Sequence, residues 1–228
     1  MFDKFKHKYR IKDEFVPSVT RIIDSIIPKP FLIPWAAKMG AEWWLSHYGE
    51  NADMYNGICN AHKVRSEAAL ETGSIVHDYI EKIIKWSLNG ESSAPKKPEG
   101  EAAINSINAF GEWIKANEVK WISSEEKIYS RTHQYAGTVD AVAEINDEFC
   151  VIDFKTSAQI YKEYYLQIAA YKHAIEEIYG RDVECCWILR FDKESGKFQA
   201  KEIREDYFPV FEMGLNFQKA YSTMRKRK

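Results

Sequence analysis

The chain has 228 residues, a formal net charge of −2, 45% hydrophobic and 29% charged residues. These values fit a globular domain with a sizeable core and exclude a polycation that binds nucleic acid over its whole surface. No apolar run approaches the ~20 residues that span a bilayer, and residues 1–12 lack the apolar core of a signal peptide. We therefore expect an intracellular, cytoplasmic protein without a membrane partner. The basic end at 224–228 is a candidate local patch or a solvated tail.

Apolar residues at helical spacing predict helices in the first half of the chain, over residues 17–27, 31–48, from about 73 onward, and 101–117. Residues 60–72 look helical but polar, and Gly73 is expected to start the helix that carries His77. Residues 89–100 are rich in glycine, serine and proline and predict a surface loop.

The second half predicts a mixed sheet with strands over residues 123–129, 135–145, 149–156, 183–192 and 197–203, and helices over 160–179 and 206–224. Asn146-Asp147 is a plausible turn between the second and third of these strands. This order of elements predicts an α/β fold, in which helices flank a central mixed sheet and a helical part precedes it.

Two carboxylates and a lysine of the predicted hairpin could form one site. Side chains alternate along a strand, so Asp153 and Lys155 project to one side while Phe154 points into the core. The hairpin would bring Asp140 near Asp153. Two carboxylates beside a lysine would form a site for a hard cation, and their oxygen ligands suit Mg²⁺ or Mn²⁺ rather than zinc.

Three motifs follow one another in the chain: Gly137-x-x-Asp140, Asp153-x-Lys155-Thr156 and Gln167-x-x-x-Tyr171. In this order and spacing they resemble the PD-(D/E)XK nuclease superfamily, and the last motif resembles its RecB-like branch. The resemblance implies a restriction-endonuclease-like core and a single nuclease domain over residues 1–228, with a mostly helical part to 120 and a catalytic core from 121. The opening of the chain resembles phage and prophage members of this branch.

The resemblance implies a metal site for Mg²⁺ or Mn²⁺. Its ligands would be Asp140, Asp153, the backbone carbonyl of Phe154 and His77. A histidine on the flank of an apolar stripe would otherwise be a packed core residue, so two interpretations of His77 stay open. An imidazole ligand would favour Mn²⁺ slightly over Mg²⁺.

Further residues receive catalytic roles from the resemblance. Lys155 would orient and help deprotonate the attacking water, or stabilise charge on the phosphate. Gln167 and Tyr171, four apart on one helix face, would face the active site. The spacing of the family selects Glu125 as a further acidic residue, with Glu126 as the alternative.

The implied activity is metal-dependent hydrolysis of phosphodiester bonds in DNA, at single-stranded or duplex ends. Two alternatives stay open: a nuclease fold that binds nucleic acid without cutting, and an α/β enzyme that acts on a small anionic substrate. No phosphate-binding loop is present, so unwinding would require a helicase or recombination partner. The oligomeric state is left open.

The four cysteines, Cys59, Cys150, Cys185 and Cys186, show no zinc-binding spacing. We expect Cys150 to be a small buried hydrophobe. Some RecB-like nucleases hold an iron–sulfur cluster through three cysteines near the C-terminus. We expect no such cluster, because no cysteine follows Cys186. Trp35, Trp43 and Trp44 are expected in the core, with base stacking as the alternative.

Overall fold

The computed structural model describes residues 2–3, 8–11, 14–50, 53–90, 92–192 and 195–225. The basic residues 226–228 lie outside this range. The chain forms two compact units, one that combines the residues up to Ile27 with those from Val76 onward, and one over Pro28–Ile75. The single nuclease domain expected from the sequence stays a prediction. Within the described ranges, no helix has the length and apolar character needed to cross a membrane.

The helices are α1 Val19–Ile26, α2 Leu32–Ser46, α3 Met54–Asn89, α4 Glu101–Ala116, α5 Lys162–Tyr179 and α6 Phe208–Arg225. The strands are β1 Phe2–Asp3, β2 Lys8–Ile11, β3 Glu14–Pro17, β4 Val119–Ser130, β5 Tyr135–Ile145, β6 Glu148–Lys155, β7 Cys185–Phe191 and β8 Phe198–Ile203. The predicted α/β class with a central mixed sheet is confirmed.

The five-stranded sheet has the order β4-β5-β6-β7-β8. The pair β6–β7 is parallel and is joined by the crossover helix α5, whereas the other pairs are antiparallel. Between β5 and β6, Asn146 and Asp147 have φ values of 52° and 67°. Two successive positive φ values are typical of the two-residue turn that matches the twist of a hairpin, so the predicted hairpin is present.

Each face of the sheet buries its own apolar cluster. One face packs against α1, α5 and α6, and the other against α4 and the part of α3 from Val76 onward. Along β6 the side chains alternate as expected, with Val151 in the first cluster and Cys150 and Phe154 in the second. Phe154 and Cys150 are buried, as predicted.

The prediction that a helix begins near Gly73 is wrong. Helix α3 is continuous through residues 54–89, so the polar stretch and the apolar stripe belong to one helix. An interior glycine costs a helix only about 1 kcal/mol, and residues 65–71 before it include the strong helix formers Arg, Glu, Ala and Leu. His77 consequently lies in the middle of a helix rather than in its first turn.

The expectation of tryptophans in the core is also wrong. Trp35 and Trp43 are half-buried, and Trp44 is exposed. A unit built from α2 and the start of α3 has too few layers to enclose indole rings. Gly57 on α3 lets Trp43 approach closely, because a Cβ atom there would lie 2.0 Å from the indole ring.

Candidate active site

The hairpin opens where the charged residues begin. Backbone pairing between β5 and β6 runs from Ile145–Glu148 to Ala141–Ile152 and stops there. One more step would pair Asp140 with Asp153. Instead, the backbone N–H of Phe154 donates to Oδ2 of Asp140 at 2.6 Å. This bond fixes the Asp140 carboxylate where the strands separate.

A cluster of metal-ligand atoms forms around this carboxylate. His77, Glu125 and Asp140 each offer one atom, and these atoms lie within 4.8 Å of one another. Nε2 of His77 lies 3.5 Å from Oδ1 of Asp140. The His77 ring packs edge-on against Phe154, with 5.9 Å between ring centroids, and its side chain is 28% exposed. Contact with Asp140 raises the pKa of His77, although burial opposes this.

The structure separates the two candidate glutamates. Glu125 has a φ of 53°, a left-handed conformation that is uncommon for residues other than glycine. Burial, Asp140 and Glu81 raise the pKa of Glu125 to about 7. Glu126 instead accepts a hydrogen bond from the hydroxyl of Tyr179 on α5, at 2.9 Å. Glu125, and not Glu126, joins the cluster.

Asp153 belongs to β6, and the charges of Asp140 and His77 both act on it. It is fully buried, with Oδ2 2.5 Å from Nζ of Lys155. Its Oδ1 accepts from Nε2 of Gln167 at 3.3 Å. Burial raises the pKa of Asp153 to about 6, against the effect of Lys155. Among the described residues, Asp153 does not belong to the cluster of ligand atoms around Asp140.

Lys155 is held between a carboxylate and an aromatic ring. Its Nζ lies 5.0 Å from the centroid of the Tyr164 ring, a distance suited to a cation–π interaction. Burial lowers the pKa of Lys155, but Asp153 and Asp140 outweigh burial, and the net shift is upward. The contact with Asp153 therefore favours the ammonium form of Lys155. The sequence analysis missed Tyr164, although it precedes Gln167 by three residues and so shares its helix face.

Gln167 and Tyr171 form a chain of hydrogen bonds that ends at Asp153. Nε2 of Gln167 donates to the hydroxyl of Tyr171 at 2.8 Å as well as to Asp153. Tyr171 is buried, and a Cβ atom on Gly137 would lie 2.9 Å from its ring. The glycine of Gly-x-x-Asp therefore allows β5 to approach this tyrosine. Gln167 therefore contacts Asp153 directly, whereas Tyr171 is linked to it through Gln167.

A second residue missed from the sequence comes from the N-terminal strands. The hydroxyl of Tyr9 on β2 is hydrogen-bonded to Oγ1 of Thr138 at 2.9 Å, two residues before Asp140. Burial and the charge of Glu125 raise the pKa of Tyr9. Strands of two to four residues carry too little periodicity for sequence analysis to detect them.

No protein-family model matches the chain. The chain is 28% identical over 186 residues to the mitochondrial genome maintenance exonuclease 1 of Xenopus tropicalis. That match covers 76% of this chain and 48% of the relative, so the chain spans about half of the relative's length. Two structures of the alkaline exonuclease LHK-Exo from Laribacter hongkongensis, alone and with dAMP, have TM-scores of 0.40 and 0.39. They are 14% and 16% identical, and they cover 65% of this chain and 79% and 80% of theirs.

The sequence match is to an exonuclease, and the site groups three side chains that could hold a metal ion. Asp140 and Glu125 offer carboxylate oxygens, and His77 offers an imidazole nitrogen. This donor set fits a divalent cation. Of the ligands that the resemblance implies, the structure brings His77 and Asp140 together and adds Glu125 to them. The roles of Asp153 and of the Phe154 carbonyl as ligands stay predictions.

Proposed function

We propose that the chain is a Mg²⁺- or Mn²⁺-dependent DNA nuclease of the RecB-like branch. It would hydrolyse phosphodiester bonds as an exonuclease at DNA ends, in recombination, repair or phage DNA processing. The observation that carries this proposal is the opening of the β5–β6 hairpin. There, the ligand atoms of His77, Glu125 and Asp140 converge, and Nζ of Lys155 is held by Asp153.

A bound divalent cation would lower the pKa of a coordinated water and withdraw charge from the phosphate. The residues that would hold it are Asp140, Glu125 and His77. The Phe154 N–H keeps the Asp140 carboxylate in a fixed orientation through its bond of 2.6 Å. This preorganisation means that little reorganisation is required when the substrate arrives.

Lys155 would act on the phosphate and the attacking water. Its raised pKa favours donation of hydrogen bonds to developing negative charge over removal of a proton from water. Asp153 fixes the position of Lys155, and Gln167 in turn holds Asp153. Tyr171 completes this chain of contacts through its bond to Gln167.

Binding without cleavage is the second candidate function. It would require only a nuclease fold and no reactive group. The presence of Asp140, Asp153 and Lys155 together, with the lysine held in place, favours cleavage. Any unwinding of duplex DNA would come from a separate helicase, and the cytoplasmic location stays a prediction.

The test is incubation of labelled single-stranded and duplex DNA with Mg²⁺, Mn²⁺ or EDTA. We expect degradation with either metal and none with EDTA. Linear DNA should be degraded while circular single-stranded DNA survives, because an exonuclease needs an end. A folded protein that binds DNA but leaves all substrates intact in both metals would favour the second candidate. Degradation of circular DNA would retain the nuclease and overturn the requirement for an end.

A further inference from the structure

Helix α6 has two apolar faces. Phe208, Phe211 and Leu215 are buried against the cluster that α1 and α5 share. A second set, which we call the outer stripe, is exposed: Val210 at 47%, Met213 at 65%, Phe217 at 58%, Tyr221 at 51% and Met224 at 70%. A surface helix normally presents polar side chains on the face opposite its core.

The outer stripe is narrow and continuous. Its members are spaced by three, four, four and three residues, which places them along one line of a helix with 3.6 residues per turn. The rings of Phe217 and Tyr221 stack with 6.0 Å between centroids. Glu212 and Lys219, two charged residues of α6, both contact His133 rather than the stripe. Glu212 lies 3.4 Å from Nδ1 of His133, and Nζ of Lys219 donates to the backbone carbonyl of His133 at 2.9 Å.

The spacing of the outer stripe is symmetric about Phe217, because the intervals on its two sides are the same. Two such helices that cross a two-fold axis at Phe217 in antiparallel orientation would match at every position. Phe217 would meet Phe217, Met213 would meet Tyr221, and Val210 would meet Met224. We propose that the outer stripe is a homodimer interface in which α6 pairs antiparallel with α6 of a second copy.

Charge at the helix ends also favours this orientation. The exposed Glu205 and Asp206 precede α6, and the sequence from Arg225 to Lys228 is entirely basic. Parallel pairing would bring the two acidic starts of the helices together, and like charges at close range repel. Antiparallel pairing keeps the two acidic starts at opposite ends of the interface. A two-fold antiparallel contact is also closed, so it ends at a dimer.

The size of the stripe sets the expected strength. Five large side chains, each about half exposed, would bury roughly 500 Å² per copy, or about 1,000 Å² in total. This area lies at the lower end of specific interfaces. We therefore expect a reversible dimer whose population depends on concentration.

The first test is sedimentation velocity from about 1 to 100 µM protein. The wild type should shift from monomer to dimer over this range. Phe217→Lys places two ammonium groups on the axis and should remain monomeric throughout. Thr223→Lys, on an exposed position of the same helix outside the stripe, is the matched control and should dimerise like the wild type. Thermal unfolding of all three at low concentration should coincide, because both positions are exposed.

The second test determines the orientation. Met213→Glu and Tyr221→Lys should each weaken self-association, and an equimolar mixture should restore dimers that contain one copy of each. Antiparallel pairing predicts this rescue because it places position 213 opposite 221. Parallel pairing would place the introduced carboxylate opposite Met213 and the introduced ammonium opposite Tyr221, so mixed dimers would contain no ion pair and would not regain the affinity of the wild type.

A disulfide gives an independent readout of the axis. In a Cys59→Ser background, which removes the exposed native cysteine, Phe217→Cys should cross-link to a dimer under oxidation, while Thr223→Cys should not. A wild type that stays monomeric at every concentration would overturn the proposal. So would a trimer, or a Phe217→Lys variant that still dimerises. DNA cleavage by the same samples is measured separately, so failure of dimerisation would leave the proposed nuclease function standing.

Discussion

The two ends of the β5–β6 hairpin differ in how they satisfy their polar groups. At the turn, the backbones pair residue by residue, and the only charges are at the surface, such as Asp147, 3.0 Å from Nζ of Lys120. At the open end the backbone pairing stops, and side chains form the polar contacts instead. Asp140 accepts the Phe154 N–H, and buried Asp153 lies against Lys155.

The charged groups at the open end lower the stability of the fold. Charged groups taken out of water destabilise the fold unless they are fully paired. At the open end, burial raises the pKa of both Asp153 and Glu125, so their ionised forms are disfavoured in the metal-free protein. The turn end stabilises the fold. The open end is less stable in the metal-free protein, because it holds a charged site that a cation would complete.

Among the substitutions at the open end of the hairpin, Asp140→Asn should have the largest effect. The amide keeps an acceptor for the Phe154 N–H but loses the charge that a cation requires. We expect cleavage to fall by roughly a thousand-fold or more, and the rise in melting temperature with Mn²⁺ to disappear.

The matched control for that variant is Asp147→Asn at the turn end. Asparagine tolerates the turn conformation, and the lost ion pair is exposed on both sides, so stability should change by less than about 1 kcal/mol. Cleavage by Asp147→Asn should match that of the wild type. Equal losses in the two variants would show that the difference between the hairpin ends is not functional.

Lys155→Met should lower the free energy of unfolding by about 2–4 kcal/mol, because it leaves Asp153 buried without its partner. The double variant Asp153→Leu with Lys155→Met should recover most of that loss while cleavage stays absent. Urea unfolding of Lys155→Met, of Asp153→Leu and of the double variant measures the coupling between Asp153 and Lys155. Additive losses would mean that the ion pair is not the reason for the cost.

Glu125→Gln and Glu126→Gln form a pair of neighbouring substitutions with opposite expectations. Glu125→Gln should reduce cleavage by about 10–100-fold and shrink the Mn²⁺-induced rise in melting temperature, because a ligand is lost. Glu126→Gln should leave both unchanged and cost at most about 1 kcal/mol at its hydrogen bonds. The reverse result would assign the acidic role to Glu126.

Sequence could predict the parts of this site that depend on local order. The hairpin with its Asn146-Asp147 turn, and the shared faces of Asp153 with Lys155 and of Gln167 with Tyr171, follow from strand and helix periodicity. Periodicity could not choose between Glu125 and Glu126, since the choice depends on a positive φ within β4. Contacts across many residues, such as that of Tyr9 with Thr138, were equally out of reach.

A related limit explains the errors in the helical part. A local glycine signal predicted a helix start at Gly73, but the residues on both sides favour a helix, and α3 continues through it. The tryptophans were expected in the core because sequence gives their size and not the number of layers around them. Sequence could not reveal the outer stripe of α6 either. Apolar residues on two faces of one helix are interpreted as one buried face, because the sequence does not show which of them is covered.

The smallest expected effect is a pH dependence of stability in the metal-free protein. The pKa of Glu125 is raised to about 7 in the folded state, above its ordinary value near 4.3 in the unfolded chain. The folded state therefore binds more protons between these values, and stability falls as pH rises through that window. Asp153, with a pKa of about 6, and His77, whose pKa is also raised, act in the same direction.

Chemical unfolding at pH 5 and pH 8 without metal should therefore show a larger loss of stability in the wild type than in Glu125→Gln, by about 1–2 kcal/mol. Glu126→Gln should follow the wild type, because Glu126 lies outside the cluster. With Mn²⁺ present, the wild type should lose less stability between the two pH values, since a cation favours the ionised carboxylates that pH 8 provides. If wild type and Glu125→Gln have the same pH dependence without metal, Glu125 carries no strained charge, and the open end of the hairpin is no less stable than its turn.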